Sequence, residues 1–209
     1  MNLPSKDRDG NSYLSYSEIQ TFKKNKEDYY NRYILKTPFI GNAYTDFGRK
    51  VGKALEKNDF SLFSSKEVKI LKQVTRLDEF ERRIKIQYKG FYMIGFLDTN
   101  NSSLTRIIDY KTGGIRKEFQ YQEKDYNQTQ IYALGIRQEK GIKVKDASIE
   151  FIRREGNAFK GDKLHVKNEQ PIVIYQDLSE ERLKHVYSDV LKTAKEIEKF
   201  YKETINESK

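Results

Sequence analysis

Three residues in the middle of the chain have the types and spacing for metal-assisted hydrolysis: Asp98, Asp109 and Lys111. In a β-strand, residues i and i+2 share a face, so Asp109 and Lys111 project to one side while Ile108 and Tyr110 point away. Asp98 stands near the end of the preceding predicted strand, Phe91–Asp98, and the turn Asn100-Asn101-Ser102-Ser103 returns the chain beside it. The three groups then converge at one end of a sheet. Two carboxylates suit a hard divalent cation, Mg²⁺ or Mn²⁺, and the Tyr110 backbone carbonyl between them is a natural further ligand. Such a cation lowers the pKa of a bound water and offsets charge at phosphorus, and Lys111 can position that water or neutralise phosphoryl oxygens. The chemistry is that of phosphodiester hydrolysis. An acidic-x-Lys pattern has little weight alone, because it recurs at Glu67/Lys69 and at Glu207/Lys209. Asp109/Lys111 differs in its strand, its Thr112-Gly113-Gly114 exit and the Asp that ends the strand before it. The plain alternative is a surface ion pair beside a turn.

The elements that position these residues can be read along the chain. Met1 to about Gly10 is polar, and residues 1–14 read as a flexible N-terminal arm ahead of a single domain, 15–209. A first helix opens at Ser15-Tyr16-Ser17-Glu18, where Ser17 with Gln20 fits a capping box and Ser15 with Glu18 is the rival. It runs to Thr37-Pro38. A second helix covers about Ala43–Glu56 with Phe47, Val51, Ala54 and Leu55 on one face. Gly48, Gly52 and Glu56 form a row beside that face. A third spans Ser65–Val74. Strands Phe80–Tyr88, Phe91–Asp98 and Leu104–Lys111 form a meander. A helix over about Lys124–Arg137, strands Ala147–Ile152 and Pro171–Tyr175, and an amphipathic helix from Glu180 to about Tyr201 complete the chain. The order predicts an α/β (α+β) fold, a mixed central sheet flanked by helices.

Composition bounds the partners. Forty basic residues against 31 acidic give a net charge of +9, a field that attracts polyanions, nucleic acid first among them. Arg106, Arg116, Lys117 and Lys124 flank the trio in sequence, and Arg116 and Lys117 are candidate substrate contacts. With no cysteine, disulfides, thiolate zinc sites and cysteine-ligated iron–sulfur clusters are excluded. The first dozen residues lack the apolar segment of a secretory signal, and no apolar run is long enough to span a bilayer, so a cytoplasmic location and no membrane are expected. His165 and His185 have no metal-ligand spacing. No Gly-rich phosphate loop is present.

Four motifs in order resemble the RecB-like branch of the PD-(D/E)XK nuclease superfamily. They are Ser15-Tyr16-Ser17, Gly95-Phe96-Leu97-Asp98, Ile108-Asp109-Tyr110-Lys111-Thr112-Gly113, and Gln128-x-x-x-Tyr132. The resemblance extends from about Ser15 to Leu134. It implies a restriction-endonuclease-like core in which Asp98 and Asp109 hold metal and Lys111 is catalytic. Gln128 and Tyr132 would sit at the site's edge. The implied partner is DNA, with room for a protein partner in a recombination or repair complex; oligomeric state is not encoded in these motifs. One departure stands out. Many relatives carry a metal-binding His on the second helix, where this chain has Gly52. Glu56, one turn further on the same row, is the candidate replacement, directly or through water; its other reading is a solvated helix-end residue.

Overall fold

The computed structural model describes residues 1–122 and 126–207. Strand β1 (Tyr13–Ser15) leads into helices α1 (Tyr16–Lys24) and α2 (Lys26–Tyr29), extended by a π-helical turn over Tyr30–Ile34. Helices α3 (Ala43–Lys57) and α4 (Ser65–Leu71) follow. The meander is β2 (Glu79–Tyr88), β3 (Phe91–Asn100) and β4 (Arg106–Gly113). After a 3₁₀ turn at Lys117–Tyr121 come α5 (Gln128–Lys140), β5 (Asp146–Glu155), β6 (His165–Val166), β7 (Ile172–Tyr175) and α6 (Glu180–Glu207).

The seven strands form one mixed sheet. β1 runs parallel to β3 and β4 parallel to β5, and the remaining pairs are antiparallel. Strand β3 is the hub. Strand β2 pairs along one edge except at Glu81, so β1 and β4 share the other: β1 faces Tyr92–Ile94 and β4 faces only Thr99 and Asn100. Between them, the edge over Gly95–Asp98 has no strand partner among the described residues. Helices cover both faces. Ile19, Phe22, Ile131, Val186 and Val190 pack from α1, α5 and α6 on Ile84, Ile86 and Met93. On the other face Phe47, Val51, Leu55 and Leu71 from α3 and α4 pack on Ile108, Tyr110 and Ile152. Gly135 lets α5 approach β2, since a Cβ there would lie 2.7 Å from Ile86 Cγ1. The α/β arrangement expected from the pattern is the observed one.

Several local expectations change. The first helix is broken at Asn25, whose extended backbone (φ −155°, ψ 108°) ends α1 and whose side chain caps α2 through the Glu27 and Asp28 N–H groups. Ser15, not Ser17, is the α1 N-cap: its Oγ accepts from Glu18 N at 3.1 Å. Glu18 is buried, accepting from Ser5 Oγ and Tyr29 OH. Helix α5 starts at Gln128, later than expected, and Lys124 lies outside the described residues. Helix α6 continues to Glu207.

The segment read as a flexible arm, 1–14, is folded onto the domain. Leu3 and Leu14 are fully buried, and Leu3 N donates to Ser12 Oγ, which donates to the Met1 carbonyl. Asn2 N donates to Glu198 on α6 at 2.7 Å. Two buried leucines supply apolar contact that the polar composition of the segment hides. Among the described residues no helix is long and apolar enough to cross a membrane.

Candidate active site

Strand β4 supplies the centre. Ile108 and Tyr110 are buried against α3, and period-2 geometry turns Asp109 and Lys111 to the opposite face. Lys111 Nζ lies 2.6 Å from Asp109 Oδ2. Asp98, on β3, and Asp109, on β4, each lie one residue beyond the last β3–β4 pair, Thr99–Ile108, at the point where the two strands part. Its Oδ2 accepts the Tyr110 N–H at 2.6 Å, so a side chain bridges the fork where a ladder bond would otherwise form. The three residues thus meet in the gap between β3 and β4.

The electrostatics follow from burial and proximity. Burial, and then the neighbouring Asp109 carboxylate, raise the Asp98 carboxyl to about 7, against the lowering effects of Lys111 and the Tyr110 N–H. Burial pulls the Lys111 ammonium down, but Asp109 and Asp98 more than offset it and hold it protonated above its usual range. Asp109 is buried, and its Oδ1 has no hydrogen-bond partner among the described residues.

Gln128 and Tyr132, one helical turn apart on α5, connect to this centre through a residue that the motifs did not single out. Gln128 Nε2 donates to Tyr132 OH at 2.6 Å. The Tyr126 hydroxyl lies 2.8 Å from Gln128 Oε1 and 3.1 Å from Asp109 Oδ2, one proton facing two acceptors. The Tyr132 ring fills the unpaired stretch of β3: a Cβ at Gly95 would overlap Tyr132 Cε1, which is why this strand needs a glycine three residues before Asp98. Tyr16 of the Ser-Tyr-Ser motif accepts the Asn127 N–H and meets the Tyr126 ring edge-on at 5.7 Å. Two of the four motifs therefore act as the frame of the other two.

Two clefts open on Lys111. One, of 790 Å³, is lined by Tyr44, Gly48, Gly52, Glu56, Asp98 and Tyr110, and also by Glu81. The other, of 600 Å³, is lined by Tyr16, Lys23, Lys24, Tyr126 and Gln128, with no carboxylate among the described residues that line it. The predicted row on α3 is present in full. Gly48 packs closely, since a Cβ there would lie 3.3 Å from Thr112 Oγ1, whereas at Gly52 a Cβ meets nothing within 4 Å. Arg116 and Lys117 are exposed on the turn after β4 and line neither cleft. Arg106, at the other end of β4, pairs with Asp146.

The family description "PD-(D/E)XK nuclease superfamily" matches residues 63–207, well over half of the chain and the whole of the site's β3–β4 fork. The chain belongs to the PD-(D/E)XK nuclease superfamily. No curated protein matches it. Among solved structures, it is similar to the crystal structure of a protein from Eubacterium rectale described as a "Putative exonuclease". The TM-score is 0.60 over 91% of this chain and 82% of that one, at 12% identity. The fold is thus the restriction-endonuclease-like one, a mixed sheet between helical layers. In this PD-(D/E)XK chain Glu81 is the unforeseen member of the cleft. It falls, with Asp98, in the break between the Phe80–Thr99 and Arg82–Leu97 pairs of the β2–β3 ladder, with a left-handed backbone (φ 51°), and burial and Glu56 raise its carboxyl. No residue-type pattern encodes that backbone; Tyr126, two residues before Gln128, was legible only as one tyrosine among fifteen.

The donors suit a hard cation in part. Asp109 Oδ1, buried and unpartnered, and the adjacent Asp98 carboxyl are the oxygen chemistry that Mg²⁺ or Mn²⁺ takes. Among the described residues no group of three or more His, Cys, Asp or Glu is arranged to hold a metal, so Glu56 does not close a three-carboxylate set.

Proposed function

We propose that this chain is a divalent-metal-dependent nuclease of the RecB-like branch that hydrolyses DNA. Asp98, Asp109 and the Tyr110 carbonyl would hold Mg²⁺ or Mn²⁺, and Lys111 is the catalytic cation. The observation that carries this reading is the buried Asp109 carboxylate. One of its oxygens is held by Lys111 and Tyr126, the other has no partner among the described residues, and the Asp98 carboxyl feels its charge. A buried carboxylate oxygen is costly unless paired, and a hard cation is a fitting partner. When bound, such a cation supplies Lewis acidity and a more acidic bound water. The rest falls to the protein. Lys111, kept protonated by the two aspartates, places positive charge where phosphoryl oxygens gain negative charge. Tyr126, with Gln128 and Tyr132 behind it, fixes the orientation of Asp109. We assign residues 15–209 to one nuclease domain with residues 1–14 packed on it, and the setting to recombination, repair or phage DNA processing.

The test is cleavage of end-labelled linear and circular DNA with Mg²⁺ or Mn²⁺. Asp109→Ala should abolish cleavage, and Lys111→Ala should reduce it by on the order of 10²–10³-fold, as for loss of one electrostatic contact in other hydrolases. Equal activity in all three proteins would sink the assignment.

A second reading, a catalytically inactive nucleic-acid-binding protein on the same fold, is favoured by two observations: Gly52 stands where the family resemblance implies a His, and no three-residue metal cluster closes among the described residues. Calorimetric titration with Mn²⁺ separates the two. Binding lost in Asp109→Ala favours the nuclease; nucleic-acid binding with no metal uptake favours the second.

A further inference from the structure

The loop between β5 and β6 has no part in the catalytic reading, yet it sets an aromatic ring beside the wall of the larger cleft. Phe159, on the 3₁₀ turn Ala158–Lys160, is 87% exposed. The turn is tied down. Asn157 Oδ1 accepts from Phe159 N at 3.1 Å, and Asn157 N donates to Asp162 at 3.0 Å. The Tyr44 hydroxyl, at the start of α3, accepts the Ala158 N–H at 3.1 Å and donates to Asn157 Oδ1 at 3.3 Å. The Phe159 and Tyr44 ring centroids are 5.5 Å apart at 57°, and Arg154 Cζ lies 4.0 Å over the Tyr44 ring. Arg154 has no carboxylate partner among the described residues, whereas Arg153 beside it pairs with Glu118 and Glu169. Tyr44 lines the same cleft as Asp98 and Lys111.

An open aromatic face held in place beside a guanidinium with no carboxylate partner among the described residues fits one substrate feature: a nucleobase with its phosphate. Base–aromatic stacking tolerates any sequence because every base has a π-face, and a cation next to the ring adds to it. Bases inside a duplex are already stacked and offer no free face. We infer that Phe159, Tyr44 and Arg154 form a stacking platform for an unpaired nucleotide of the strand being cut, so that the substrate is single-stranded where it enters the larger cleft. This rests on the nuclease reading of the same cleft.

The experiment measures binding without cleavage. The full chain, in EDTA, is titrated into a 2-aminopurine oligonucleotide, either single-stranded or annealed as a blunt duplex. Phe159→Ala should weaken single-strand binding about tenfold, or about 1.4 kcal/mol, and leave duplex binding unchanged. Phe159→Trp should retain the wild-type affinity, and Arg154→Gln should weaken single-strand binding. Unchanged affinity in Phe159→Ala, equal losses on both substrates, or no measurable single-strand binding by the wild type would overturn the platform. Because this readout needs no metal, it stands apart from the comparison of wild type with Asp109→Ala in Mn²⁺-dependent cleavage, on which the nuclease reading itself stands or falls.

Discussion

At the scale of single residues, Gly52 is the position where the chain departs most from the pattern it resembles, and the structure makes that departure testable. Nothing lies within 4 Å of a Cβ built there, so the glycine serves no close packing, unlike Gly48 four residues earlier. Gly52→His should therefore be accommodated, and replacing a mid-helix glycine should stabilise the protein by roughly 0.5 kcal/mol in urea unfolding. The imidazole would enter the cleft that holds Asp98, and Mn²⁺ affinity measured by calorimetry should rise above that of Gly52→Ala. Equal affinities in the two variants would show that the cleft does not direct this row at a metal. Residues of this kind were legible in sequence where local periodicity decides the matter. The i, i+2 rule paired Asp109 with Lys111, and the i, i+4 rule put Gly48, Gly52 and Glu56 in one row. Glu81 was not legible, because only its left-handed backbone brings it to the cleft. Nor was the platform at Phe159, which depends on hydrogen bonds between segments more than a hundred residues apart.

At the scale of elements, the breaks carried most of the surprise. The apolar spacing from Ile19 to Ile34 continues through Asn25 because the packing face continues; what stops the helix is a cap that the spacing does not record. Similarly, Ser15 and Ser17 offer equivalent capping chemistry, and the choice falls to Ser15 because Tyr13–Ser15 is already held as a strand against β3. The result buries Glu18 at the joint of α1, α2 and the N-terminal segment. Burial raises its carboxyl to about 7, against the hydrogen bonds from Ser5 and Tyr29. The folded protein then holds a proton that the unfolded chain has lost between pH 4.5 and 7, so stability falls as pH rises through that window and the full cost is present above it. Relative to Glu18→Gln, the wild type should gain on the order of 2 kcal/mol on going from pH 7.5 to 5.5, read by urea unfolding. Parallel curves for the two proteins would refute a neutral, buried Glu18.

At the scale of the whole molecule, the class of fold was legible because alternating and helical periods change cleanly along the chain, while the sheet order was not, since β1 and β5 enter it through parallel pairings that no local turn specifies. The net charge of +9 gives a prediction at this scale. Single-stranded binding should weaken linearly in log Kd against log salt, with a slope magnitude of at least about 2, the value for three neutralised phosphates. A flat plot would mean that the basic surface does not follow the backbone of the ligand. The placement of β3 has a further consequence, for assembly. The gap that receives Asp98, Asp109 and Tyr132 is framed by β1 from one end of the chain and by α5 and β5 from beyond its middle. The proposed catalytic trio spans only fourteen residues, but a nascent or truncated chain that stops before β5 has the trio without the frame. Competence should thus arrive in one late step of folding, governed by long-range strand pairing and slow for that reason, and protease-trapped fragments of the chain should be inert even when they retain every motif.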